Sequence, residues 1–162
     1  MKGKLTQMKS MHLKPKTILL VEDDPNDEEM TVAALKKEGL AGDVIVVRDG
    51  AEALDFLYRR AGFASRDGGP PAVMLLDIKM PKVDGLEVLR QIKSDPHLKA
   101  MPVVMLTSSE ESSDLAECYQ LGVNAYVVKP VRLNEFIKAV HDLGIFWGVV
   151  NHPPPAGIQT GA

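Results

Sequence analysis

Five short apolar runs recur along the chain: "TILLV" from Thr17, "DVIVV" from Asp43, "AVMLLD" from Ala72, "MPVVMLTS" from Met101 and "NAYVVKP" from Asn124. Short runs rich in β-branched residues and Leu, without polar alternation, are the signature of strands covered on both faces. Between them lie segments of helical period. The first carries Met30, Ala33, Ala34 and Lys37 in phase, the second Leu54, Leu57 and Tyr58, the third Leu86, Leu89, Ile92 and Lys93. "SSDLAECYQLG" and "RLNEFIKAVHDLG" supply two more. Five strands alternating with five helices predict an α/β fold, a parallel sheet with helices on both faces. Its crossovers are expected to be right-handed.

Local punctuation agrees. Pro25 suits the first position of a helix with Asp24 as its N-cap, and Gly39 ends that helix. Residues 61–71, "AGFASRDGGPP", read as a loop. A chain of 162 residues, 45% of them hydrophobic, suits one domain with a core of ordinary size. We place that domain at residues 16–143, after a flexible basic leader over 1–15. A tail over 144–162 begins apolar and ends in Pro and Gly.

Charge and cysteine content narrow the function. A net charge of −3, with Lys and Arg spread along the chain, gives no footprint for nucleic-acid binding. The one cysteine, Cys118, excludes an internal disulfide and points to a reducing compartment, so a cytoplasmic location is expected. No apolar run approaches the roughly 20 residues of a membrane span. Cys118, Met74, Met80, Met101 and Met105 read as core or near-core fillers.

In a parallel sheet, chemistry gathers at the carboxyl ends of the strands, where strand order reverses. Here those ends carry Glu22-Asp23-Asp24, Asp77, Thr107-Ser108-Ser109 and Lys129-Pro130. Carboxylates brought together repel one another and raise one another's pKa. A hard divalent cation removes that repulsion, and Mg²⁺ favours a few carboxylates, a carbonyl and waters. A nucleophilic Asp, a cation and donors such as Thr107 and Lys129 are the parts needed for metal-assisted phosphoryl transfer to a carboxylate. Taken singly, each residue has a plainer reading: Asp77 as a turn acid, Glu22 and Asp23 as helix-dipole acids, Thr107 as a cap, Lys129 as a surface lysine.

Taken together, "VEDDP", "LLDIKMPKVDG", "MLTS" and "AYVVKP", each at a strand end, resemble a response-regulator receiver domain, the phospho-accepting partner of a histidine kinase. The resemblance implies a flavodoxin-like (βα)5 doubly wound sheet with strand order 2-1-3-4-5. It implies that Asp77 accepts the phosphoryl group, that Asp23 binds Mg²⁺ (or Mn²⁺) directly, and that Glu22 binds it largely through water. The main-chain carbonyl of Lys79 falls where the family supplies a backbone metal ligand. Thr107 matches the switch hydroxyl, Lys129 the phosphate-pairing lysine, and Tyr126 the aromatic that changes position on activation. The Lys129-Pro130 bond would be cis. The implied partner is a sensor histidine kinase or a phosphotransfer protein. The chain is then not an enzyme beyond its own phosphorylation and dephosphorylation.

Three features refine this expectation. The long segment before the third strand, and a tail too short for an output module, resemble the single-domain regulators of bacterial and cyanobacterial phytochrome kinases, which act by protein contact. Lys79, where the family often has a neutral or acidic side chain, would stand opposite Ser109 and tune the lifetime of the phosphoaspartate, or else reach into solvent. Phe146, Trp147 and Val150 make the tail apolar beyond one helical face. We therefore expect a homodimer through the fourth helix, fifth strand, fifth helix and tail. Two other functions compete. A phosphatase of the haloacid dehalogenase type needs an acid two residues after its nucleophile, where this chain has Lys79. A phosphorylation-independent binding module has no need of the acid set or of Lys129.

Overall fold

The computed structural model describes residues 17–37, 43–66, 69–108, 112–123 and 125–142. The leader, Ser109 and the tail residues Phe146, Trp147 and Val150 lie outside them. The elements run β1 (Thr17–Val21), α1 (Pro25–Lys37), β2 (Asp43–Val47), α2 (Gly50–Tyr58), a 3-10 turn (Ala61–Phe63), β3 (Val73–Asp77), α3 (Gly85–Ser94), β4 (Val103–Thr107), α4 (Ser112–Gln120), β5 (Ala125–Val128) and α5 (Leu133–Asp142). The five strands are parallel, in the order β2-β1-β3-β4-β5. This is the predicted doubly wound sheet, with its switch point between β1 and β3.

Strand side chains alternate between faces, and this chain fills both. Leu19, Val21, Met74, Leu76, Val103 and Met105 point to one side, where α2, α3 and Cys118 of α4 cover them. Ile18, Leu20, Val73, Leu75, Val104 and Leu106 point to the other, against Leu35 of α1 and Phe136 and Ala139 of α5. That two-sided burial is why the strands read as continuous apolar runs. All five residues of β3, and all five of β4, are buried. A rigid rim results at the strand ends.

Asp24 caps α1 as expected, its Oδ1 accepting from the amides of Asn26 (2.8 Å) and Asp27 (3.0 Å). The predicted inward faces need three corrections. In α1 the buried residues are Thr31 and Leu35, and Met30 is exposed. The sheet meets the helix one residue further on than its apolar residues suggest. In α2, Phe56 is buried with Leu54 and Leu57, while Tyr58 is partly exposed and donates its hydroxyl to Asp95 Oδ2 at 2.7 Å. In α3, Val88 joins Leu89 and Ile92 in the core, leaving Leu86 half-buried.

Within the expected loop over 61–71, residues 61–66 have more order than Gly and Pro suggested. Arg59 closes α2 in a left-handed conformation (φ 55°), and the 3-10 turn follows. Phe63 meets Phe56 edge-on at 5.2 Å. Arg66 lies over the Phe56 ring at 4.2 Å and donates Nε to its carbonyl at 3.1 Å. No helix among the described residues is long and apolar enough to cross a membrane.

Candidate phosphoacceptor and metal site

Strand register brings the acids together. Val21 pairs with Leu76, so the residues that follow each, Glu22 and Asp77, leave adjacent strands side by side. Carboxylate oxygens of Glu22, Asp23 and Asp77 all lie within 4.8 Å of one another. Glu22 and Asp77 are buried and Asp23 is exposed. The register of β4 against β5 sets Thr107 beside Val128, and the Thr107 carbonyl accepts from the Lys129 amide at 2.7 Å. Thr107 is itself buried. The Lys129-Pro130 bond is cis.

Lys129 crosses the rim to the acids. Its Nζ lies 2.8 Å from Asp77 Oδ2, 2.6 Å from Glu22 Oε2 and 3.1 Å from Asp27 Oδ2. Burial pulls the ammonium pKa down, but the hydrogen bonds and charges of Asp77 and Glu22 outweigh it, and the net shift is upward. Burial lifts Glu22 to about 7, with the charge of Asp77 adding to the rise and Lys129 and the Asp24 amide opposing it. Lys129 therefore offsets only part of the cost of gathering these carboxylates.

The donor set fits a hard divalent cation. It is all oxygen, from closely grouped carboxylates. Glu22 Oε2 is fully buried, with the Lys129 ammonium 2.6 Å away. That one ammonium is shared with Asp77 and Asp27, so a cation or its bound water would complete the charge balance of the cluster.

Lys79 is exposed, and its amide approaches Asp77 Oδ1 at 3.4 Å. Tyr126 stands on the edge strand β5, partly exposed, in edge-to-face contact with Tyr119 of α4 at 6.3 Å. Asp27 was missed from sequence. Its signal was position: in the first turn of a helix that starts just after Glu22, a side chain can fold back over the strand end.

The chain is 39% identical over 133 residues to the response regulator Rcp1 of Synechocystis sp., covering 82% of this chain and 89% of that one. The bacteriophytochrome response regulator RtBRR has 59% identity and a TM-score of 0.78, over 88% of this chain and 86% of the other. The Mn²⁺-bound form of Rcp1 has 38% identity and a TM-score of 0.68, over 88% and 100%. Residues 18–141 match the response regulator receiver domain, and the chain belongs to that family.

Proposed function

We propose that this chain is a phosphoryl-accepting response regulator for a phytochrome-type histidine kinase, with Asp77 as the acceptor. The observation that carries this reading is the meeting of Asp77, Glu22 and Asp23 within 4.8 Å, with Lys129 Nζ 2.8 Å from Asp77 Oδ2. In the transfer, an Asp77 carboxylate oxygen forms a bond to phosphorus while the bond from phosphorus to the kinase imidazole nitrogen breaks. The nitrogen keeps the electron pair.

Glu22, Asp23, Asp77 and the main-chain carbonyl of Lys79 would hold the cation, Mg²⁺ in the cell, which supplies charge stabilisation to the phosphoryl oxygens. Lys129, already paired with Asp77, is placed to follow the acceptor as it changes from carboxylate to acyl phosphate. Thr107, buried at the end of β4, offers a hydroxyl on the same rim. Tyr126 reports the change on the β5 edge. Lys79, an exposed residue, supplies its carbonyl, and its ammonium, with Ser109, tunes the lifetime of the product.

Kinship to the bacteriophytochrome response regulator RtBRR supports the phytochrome assignment. The modified protein then signals by contact with other proteins in the cytoplasm. The exposed Tyr119–Tyr126 pair supports a homodimer through α4, β5 and α5, which Phe146, Trp147 and Val150 would extend.

The test is phosphotransfer. A bacteriophytochrome kinase carrying labelled phosphohistidine is mixed with this protein, with Mg²⁺ or with chelator. Rapid Mg²⁺-dependent movement of label, faster than from an unrelated histidine kinase, is expected. Equal rates from both kinases would remove the phytochrome assignment, and no transfer from either would remove the acceptor reading.

A further inference from the structure

The loop that joins β3 to α3 carries Lys79, and it is held from outside the acidic site. At its neck, the Gly85 amide donates to the Ile78 carbonyl at 2.8 Å, closing residues 78–85 into a ring. At its far side it rests on the N-terminus of α2. A Cβ on Gly50 would stand 2.1 Å from the Val83 carbonyl oxygen and 2.8 Å from Val88 Cγ2. Only a residue without a side chain lets the two backbones meet so closely. The next contact is an ion pair, Lys82 Nζ to Asp49 Oδ2 at 3.2 Å. Lys82 has φ 65°, a left-handed backbone that L residues rarely adopt and that Gly would take at no cost. A lysine stands there instead, and its ammonium reaches Asp49.

Asp49 is in turn immobilised. Its Oδ1 accepts from the Glu52 amide at 2.8 Å as the cap of α2, and Glu52 Oε2 accepts from the Arg48 amide at 2.9 Å. Arg48 pairs with Glu28 of α1, next to the Asp27 that binds Lys129. The loop therefore leans on a capped, cross-braced helix end.

We propose that Gly50, Asp49 and Lys82 are positioning residues for the divalent cation, holding the β3–α3 loop so that the Lys79 carbonyl is presented as a ligand. This rests on the cation site described under Proposed function. Such supporting contacts change metal affinity without touching the metal. The Lys82 side chain is 71% exposed, so its ion pair adds little to folding stability. An effect of Lys82 on metal affinity is thus separable from one on the fold.

The full chain is titrated with Mn²⁺, free ion being counted by electron paramagnetic resonance, and each variant's metal-free thermal unfolding is recorded. Wild type should bind one Mn²⁺, and Asp77→Asn should bind it more weakly. Gly50→Ala should weaken binding about tenfold and Lys82→Met about threefold, with Lys82→Arg near wild type. Lys82→Met should unfold within a degree or two of wild type. Should Gly50→Ala fail to fold, the two Lys82 variants decide alone. Mn²⁺ affinity within a factor of 1.5 of wild type in Lys82→Met, or equal losses in Lys82→Met and Lys82→Arg, would overturn the positioning role while leaving the cation site intact. Absence of Mn²⁺ binding by the wild type would overturn both.

Discussion

Lys129 Nζ stands 2.8 Å from Asp77 Oδ2 and 2.6 Å from Glu22 Oε2, so one ammonium serves two buried carboxylates that come from different strands. β1 and β3 are adjacent and deliver the acids side by side, while β5, at the sheet edge, delivers the cation from two strands away. Only the long lysine stem spans that gap. The arrangement leaves an excess of negative charge, and that excess is what a divalent cation would neutralise.

Removing the ammonium should expose this imbalance. Lys129→Met leaves Glu22 and Asp77 uncompensated in a buried place, a change of the kind that costs about 3 kcal/mol. Urea unfolding without divalent cation should show that loss, and saturating Mg²⁺ should restore part of it. A stability equal to wild type in chelator would contradict the pairing.

Two glycines separate backbone crowding from backbone freedom. A Cβ on Gly85 would lie 2.1 Å from the Asp77 carbonyl oxygen, backbone that cannot swing aside. Gly85→Ala should lower stability by about 3 kcal/mol, at the upper end for overpacking. Gly62 has nothing within 4 Å, and its φ is not in the left-handed range. Gly62→Ala should be neutral or gain up to about 1 kcal/mol through the unfolded chain. Denaturant midpoints of the two variants check the contrast.

Cys118 lies on the inner side of α4, fully buried in the core, and burial, with Asp114 and Glu117 adding, lifts its thiol to about 11. At pH 8 about one thiol in a thousand would be ionised even if reagent reached it. A disulfide reagent should leave the native protein unmodified for hours and label one thiol promptly in denaturant. Fast native labelling would mean that α4 opens far more readily than its packing suggests.

The sheet was legible because burial on both faces removes the usual polar alternation, leaving five bare apolar runs. The rim acids and Lys129 were legible because each ends such a run. Helix phase was less so. α1 has few apolar residues, and its inward side is marked by Thr31, a polar type, as much as by Leu35. Tyr58 has an apolar ring and a polar tip, so periodicity counts it inward although its hydroxyl reaches Asp95. The Asp27–Lys129 pair spans 102 residues and leaves no local trace. Gly50 reads as ordinary turn punctuation until Val83 is seen against it.

The proposed function stands on Asp77 itself taking the phosphoryl group. The most direct measurement is to phosphorylate the full chain with a small-molecule donor and Mg²⁺, reduce the acyl phosphate with borohydride, digest, and locate the resulting homoserine by tandem mass spectrometry. Homoserine is expected at position 77, with none when Mg²⁺ is withheld. Homoserine at position 23 or 27, or reduction of Glu22, with Asp77 unmodified, would contradict it.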